Sequence, residues 1–135
     1  MVRHIPNKYT QRLLLKEINV NNQGKYDFFY LPIDYQNSAN VGYAFVNFVH
    51  HHFILDFFNE FHNRKWTNFN SKKRCEIKYG RLQGLEELKR HFQSSSVMNQ
   101  TVSILFFNQG IGWKLQTQNF WAAQQDGLDN RAEED

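Results

Sequence analysis

Cysteine occurs once in 135 residues, so no disulfide framework can hold this chain, and the lone Cys75 fits a reducing compartment. No run of about 18 apolar residues exists, which leaves no membrane-spanning helix. Acidic residues are missing before Glu17, and the basic opening MVRHIPNKYTQRLLLK has the look of a mitochondrial presequence. The same residues are needed as a first strand and helix. Nucleus or cytoplasm is therefore the expected location, with a mitochondrial address left open. Catalytic motifs are missing too. His50, His51 and His52 are adjacent, have no cysteine or carboxylate at a companion spacing, and at a strand-to-helix junction should point different ways. The expectation is three solvated side chains and no metal. Cys75 has no evident histidine partner and reads as an inert strand residue. Gly110-Ile111-Gly112 lacks the third glycine and the preceding strand–helix–strand context of a dinucleotide loop. The chain is expected not to be an enzyme and to need no cofactor.

What is present is a large apolar supply. Hydrophobic residues make up 41% and aromatics 16%, with 13 phenylalanines, enough for one domain with a packed core. The net charge of +3 hides an asymmetry. The final DGLDNRAEED holds five acids and one arginine, whereas residues 1–125 carry 15 basic against 8 acidic residues. Residues 64–81 alone contain Arg64, Lys65, Lys72, Lys73, Arg74, Lys78 and Arg81 against Glu76. A basic body with an acidic tail suits a polyanionic partner; an ordinary solvated basic surface would read the same.

Periodicity gives the element order. Val2–Ile5 reads as a short strand stopped by Pro6. Thr10 is a plausible cap for a helix running to about residue 20, with Leu14, Leu15 and Ile18 on one side. YDFFYLPID (26–34) and VGYAFVNFV (41–49) are strands separated by the polar loop YQNSAN. Phe53, Ile54, Phe57, Phe58 and Phe61 recur at helical spacing over 51–62. RCEIKYGRL (74–82) is a fourth strand, and Leu85, Leu88 and Phe92 mark a third helix over about 84–98. The expected fold is α+β: a ferredoxin-like β-α-β-β-α-β sheet with both main helices on one face, followed by a C-terminal helix and extension.

The stretch NVGYAFVNF (40–48) carries the functional signal. Alternation turns Ala44, Val46 and Phe48 toward the helices and Val41, Tyr43 and Phe45 outward. Exposed rings on a sheet need a cover, and unpaired nucleobases stack on such rings for roughly 1–3 kcal/mol each. VGYAFVNF follows the K/R-G-F/Y-G/A-F-V-x-F/Y signature of the RNA recognition motif at every position but the first, where Val41 removes a basic contact. A C-terminal segment or a partner protein covering the rings is the competing reading. On the second strand Phe29 and Leu31 should be core, leaving Phe28 and Tyr30 on the open face. On the fourth, Ile77 and Tyr79 should pack inward and Lys78 outward, with Arg81 where the chain leaves the sheet. Arg3 is outward on the first strand. The expected RNA-binding set is therefore Tyr43, Phe45, Arg3, Tyr30, Lys78 and Arg81, with Lys72 and Lys73 making nonspecific phosphate contacts from a loop.

HIPNKYT, YDFFYLPIDYQNSANVGYAFVNF, FNSKK and IKYGRLQG with the following HFQSSSVMN resemble the C-terminal RNA recognition motif of the Mei-two-like meiosis regulators, over residues 1 to about 107. That resemblance implies single-stranded RNA binding, a role in RNA regulation, no catalysis and a C-terminally extended motif. His4 stands where the family usually has Asn, and Gly80 where it has Ala. Met1 falls in mid-course of the first strand, at an outward position that is aromatic in a typical motif but often Met in this family. The relatives are much larger, so the chain reads as an isolated module.

The expected layout is an RNA recognition motif over 1–107, an aromatic extension over 108–125 and a disordered acidic tail over 126–135. VSILFF (102–107) should lie against the domain's own surface. Residues 113–125 could form a helix. Trp113, Phe120 and Trp121 would then either fold back over the open sheet or anchor a protein partner. The alternative to RNA binding is an RNA-recognition-motif fold used as a protein-interaction subunit.

Overall fold

The computed structural model describes residues 1–34, 36–94, 104–108 and 112–116, with side chains through residue 92. Its elements run β1 (Val2–Arg3), α1 (Gln11–Asn22), β2 (Tyr26–Tyr30), β3 (Ile33–Asp34), β4 (Ala39–Asn40), β5 (Tyr43–Phe48), α2 (His51–Phe61), β6 (Glu76–Ile77), α3 (Leu85–Ser94), β7 (Ile104–Asn108) and β8 (Gly112–Gln116). Strands β6-β1-β5-β2-β7-β8 form one antiparallel sheet in that order, and β3 and β4 pair in a separate ribbon. The fold is α+β, as expected, with β1 and β5 both flanked by strands on either side. Among the described residues no helix is long and apolar enough to cross a membrane.

Chain chemistry places the breaks. Thr10 caps α1 by accepting from the Leu13 N–H at 3.2 Å. The extended run expected over 26–34 splits in two, because Pro32 cannot donate to a ladder. β5 begins at Tyr43 rather than Val41, since Gly42 takes φ +98° while its carbonyl accepts from the Ile5 N–H. The fourth strand is far shorter than 74–82: only Glu76 and Ile77 pair with β1. Lys78 exchanges backbone bonds with Met1, and beyond it alternation no longer applies. Tyr79, expected inward, is 79% exposed.

One side of the sheet holds the main core. Leu14 and Ile18 of α1 and Phe57 and Phe61 of α2 pack with Val2, Phe29, Leu31, Ala44 and Trp66. Burying Phe29 and Phe57 fully stabilises the fold by about 1.5–3 kcal/mol each. Beneath lies a polar network that fixes the loop after α2 to α1. Buried Glu17 accepts from the Arg64 guanidinium at 2.7 Å, from the Tyr9 hydroxyl and from Asn68 Nδ2 at 3.0 Å. Burial and the bond to Glu17 both push the Tyr9 hydroxyl above its usual pKa.

The C-terminal segments extend the sheet. β7 pairs with β2 in the register Phe28↔Phe106, Phe29↔Leu105, Tyr30↔Ile104, and β8 continues as its hairpin partner. The helix expected from residue 113 is thereby corrected: Trp113 sits in β8, opposite Phe107. Phe120, Trp121 and the acidic tail lie outside the described residues.

Candidate nucleic-acid interface

The face opposite α1 and α2 carries the residues that the sequence singled out. Register settles the sides: Val2 pairs with Ala44 and Ile77 on the core side, Arg3 with Tyr43 and Glu76 on the other. Tyr43 and Phe45 are half-buried neighbours, ring centroids 5.6 Å apart and nearly perpendicular at 88°. Such an edge-to-face pair holds the rings in place while leaving Tyr43 surface free to be covered.

This face is not open throughout. Helix α3 lies across its β2 half and forms a second core of Leu88 and Phe92 on Phe28 and Tyr30, with Phe45, Leu82 and Leu85 at its border. Phe92 stacks near Phe28 at 6.0 Å, meets Tyr30 edge-on at 4.9 Å and tilts against Phe45 at 5.1 Å. Tyr30 therefore sits on the expected side, yet at 2% exposure it offers no ring to a base while α3 is docked. The reason is legible in the helix itself: Leu85, Leu88 and Phe92 recur at three- and four-residue spacing, and the sheet's rings are the apolar surface they find.

Charge is redistributed as well. Arg3 forms an ion pair with Glu76, its ladder partner on the same face, so its charge is already half answered. Lys78, Tyr79 and Arg81 follow β6 and are exposed; the Lys78 backbone pairs with Met1 in both directions. Lys72 and Lys73 stand exposed in the loop before β6, with Lys73 Nζ donating to Asn7 at 2.9 Å. Asn47, on the outward side of β5, donates to Asp27 at 2.8 Å, and burial raises the Asp27 carboxyl above its usual pKa. The structure thus brings Tyr43, Phe45, Arg3 and Lys78 to one side of the β5–β1–β6 half. It leaves Tyr30 under α3.

Two features were missed from sequence. Tyr79 is a free ring beside Lys78, hidden because a longer fourth strand would have turned it inward. The histidine run also behaves unexpectedly: His50 caps α2 in an extended conformation while His51 and His52 begin the helix, and the three rings cluster. The three neighbours converge rather than diverge at this junction because the backbone turns from extended to helical between them. Cys75 matches its inert reading: burial pushes its thiol up to about 12.

A cavity of about 480 Å³ adjoins the interface at the sheet edge. Phe45, Val46 and Phe48 of β5, Phe58 of α2, and Tyr79 and Leu82 line it.

Comparison with known proteins matches residues 1–93 to the family described as RNA recognition motif 2. The chain is 51% identical over 100 residues to Protein MEI2-like 5 of Oryza sativa subsp. japonica, covering 74% of this chain and 12% of that protein. It is 49% identical over 100 residues to Protein MEI2-like 5 of Arabidopsis thaliana, again 74% of this chain and 12% of the relative. With Protein MEI2-like 4 of rice the identity is 47% over 113 residues, 82% of this chain and 11% of the relative. The chain thus spans about an eighth of the length of these relatives.

Proposed function

We propose that this chain, which belongs to the RNA recognition motif 2 family and shares its RNA-binding role, takes single-stranded RNA across the β5–β1–β6 half of its sheet. The observation that carries this reading is the Tyr43–Phe45 ring pair on the outward side of a central strand, with exposed Lys78, Tyr79 and Arg81 alongside. Bases stack on Tyr43 and Phe45, and Tyr79 adds a third ring at the edge. Lys78 and Arg81 meet phosphates; Lys72 and Lys73 add sequence-independent attraction from their loop. Arg3 orients rather than attracts, because Glu76 holds it. Full seating of a base on Phe45 requires Phe92 to move, so α3 and RNA compete for that ring. The family binds RNA rather than catalysing a reaction, and the function is RNA regulation or membership of a ribonucleoprotein. No cofactor is assigned.

The test is the double variant Tyr43→Ala/Phe45→Ala, compared with the parent in filter binding to mixed-sequence single-stranded RNA. Two lost stacking partners should cost about 2–6 kcal/mol, which removes detectable binding. Retained affinity in a folded double variant would falsify the proposal. One observation favours a second reading, a protein-interaction subunit: α3 already occupies half of the face. That reading predicts no RNA binding by the parent and recovery of a stoichiometric protein partner. Trp113, with Phe120 and Trp121, would be its anchors.

A further inference from the structure

We propose that His50, His51 and His52 form a binding site for a first-row transition-metal dication, with zinc as the test ion. Consecutive residues rarely converge, since a strand alternates them and a helix fans them by a quarter turn or more. The junction between β5 and α2 does neither. His50 is extended at φ −146° and ψ 144°, and the next two residues open the helix. Ring centroids stand 3.7 Å apart for His50 and His52, 4.5 Å for His50 and His51, and 5.2 Å for His51 and His52. One ring nitrogen from each lies within 4.8 Å of the other two, and all three side chains are exposed.

Zinc–nitrogen bonds of about 2.0–2.1 Å place tetrahedral ligand nitrogens about 3.4 Å apart. The widest pair must close by about 1.4 Å, which side-chain torsions of exposed residues can supply. The surroundings choose the class of ion. No carboxylate joins the cluster among the described residues. The positive end of α2 lies there, and Lys25 Nζ stands 5.5 Å from the Phe53 ring, which itself abuts His50 and His52, so the field opposes any dication and only an ion that bonds strongly to imidazole nitrogen overcomes it. Magnesium and calcium need oxygen ligands and gain nothing here. Imidazole donors suit zinc, nickel and copper(II), and exposure leaves further positions to water. Among the described residues the competitor for these nitrogens is weak: His50 Nδ1 accepts from the His52 N–H at 3.4 Å, long for a hydrogen bond. An ion that takes this nitrogen replaces a poor cap with a bond tying the end of β5 to the first turn of α2.

The experiment is calorimetric titration of the full chain with zinc chloride alone, beside a capped peptide of residues 48–54. The expected result is one ion per chain, bound at least about tenfold more tightly than by the peptide. His51→Ala, His52→Ala and His50→Ser should each weaken binding at least about tenfold, given that even outer partners of ligands matter by 10–100-fold. Serine at 50 keeps a capping oxygen while removing the imidazole, so loss of the cap is separated from loss of the ligand. His4→Asn should change nothing. Peptide-like affinity, no binding, a variant that binds as the parent does, or loss on His4→Asn would each overturn the proposal, provided circular dichroism shows the variants folded.

Discussion

Phe92→Ala should make the chain bind single-stranded RNA more tightly, although it removes a buried ring. Phe92 is 4% exposed and touches Phe28, Tyr30 and Phe45. Its burial stabilises the docked helix by about 1.5–3 kcal/mol. A base that claims the whole of Phe45 has to reverse that docking first, and its apparent affinity is lowered by the fraction of chains in which the ring is free. Without Phe92 the displacement becomes easier by about the same amount. At 1.4 kcal/mol per factor of ten, affinity should rise by about 10- to 100-fold. Fluorescence anisotropy with a labelled mixed-sequence RNA reads this directly, and a single cooperative melt confirms that the α1–α2 core persists. An affinity that stays the same, or falls, in a folded Phe92→Ala protein would refute the competition between α3 and RNA. Unchanged binding would place the RNA wholly on Tyr43 and Tyr79. Weaker binding would make α3 part of the RNA site.

Other consequences follow from particular contacts. Lys78→Gln with Arg81→Gln should weaken RNA binding and flatten its dependence on salt by about 1.4 in log–log slope, because each lost phosphate contact releases about 0.7 fewer counterions on a single strand; binding titrations over a salt series measure it. Arg64→Ala leaves Glu17 buried and without its ion-pair partner, and should destabilise the fold by about 3 kcal/mol, the low end for a buried pair since Arg64 is a third exposed, as read from denaturant midpoints. Burial pushes both Cys75 and Tyr26 up to about 12, from ordinary values of 9.0 and 10.0. The folded chain thus holds protons that the unfolded chain has released, so stability is full below about pH 9 and declines from there toward pH 12, by at most about 1.4 kcal/mol per pH unit for each group. Native Cys75 should correspondingly resist alkylation at pH 8 and react at once on unfolding.

The sequence made the sheet's two sides legible because alternation is a local rule. Ala44, Val46 and Phe48 against Tyr43 and Phe45 needed only the pleat, and the buried Phe29 and Leu31 obey it. The rule failed where the strand itself stopped. Counting from Ile77 turns Tyr79 inward, but β6 ends at Ile77, the last backbone pairing is that of Lys78 with Met1, and Tyr79 has no ladder to refer to. Tyr30 was placed on the correct side and misjudged in exposure, because what covers it comes from residues 88 and 92, far along the chain. No local pattern reports which surface an amphipathic helix will choose. Trp113 shows the opposite trap: apolar spacing compatible with a helix was resolved into a strand by pairing with β7, a tertiary partner that outweighs propensity. The histidine run was misread for a geometric reason. Neither the strand nor the helix period holds at the residue where one becomes the other.

The two halves of the outward face therefore differ in how their rings are satisfied. Over β2, Phe28 and Tyr30 are covered by the chain's own α3, so their apolar surface contributes to folding whether or not a ligand is present. Over β5, Tyr43 and Phe45 are only half-buried, and their remaining surface is what a flat, unpaired base can remove from water. Phe45 belongs to both, since it borders the α3 cluster and forms the edge-to-face pair with Tyr43. A ring shared in this way makes the seating of a base on Phe45 an exchange of one apolar contact for another, so on the proposed reading that base gains less than one stacked on Tyr43, which Phe92 does not touch. On the proposed reading, single strands whose bases can be splayed one at a time onto Tyr43 and then Phe45 should bind more tightly than a duplex of the same sequence, whose bases already stack on one another, and competition binding between the two measures the difference.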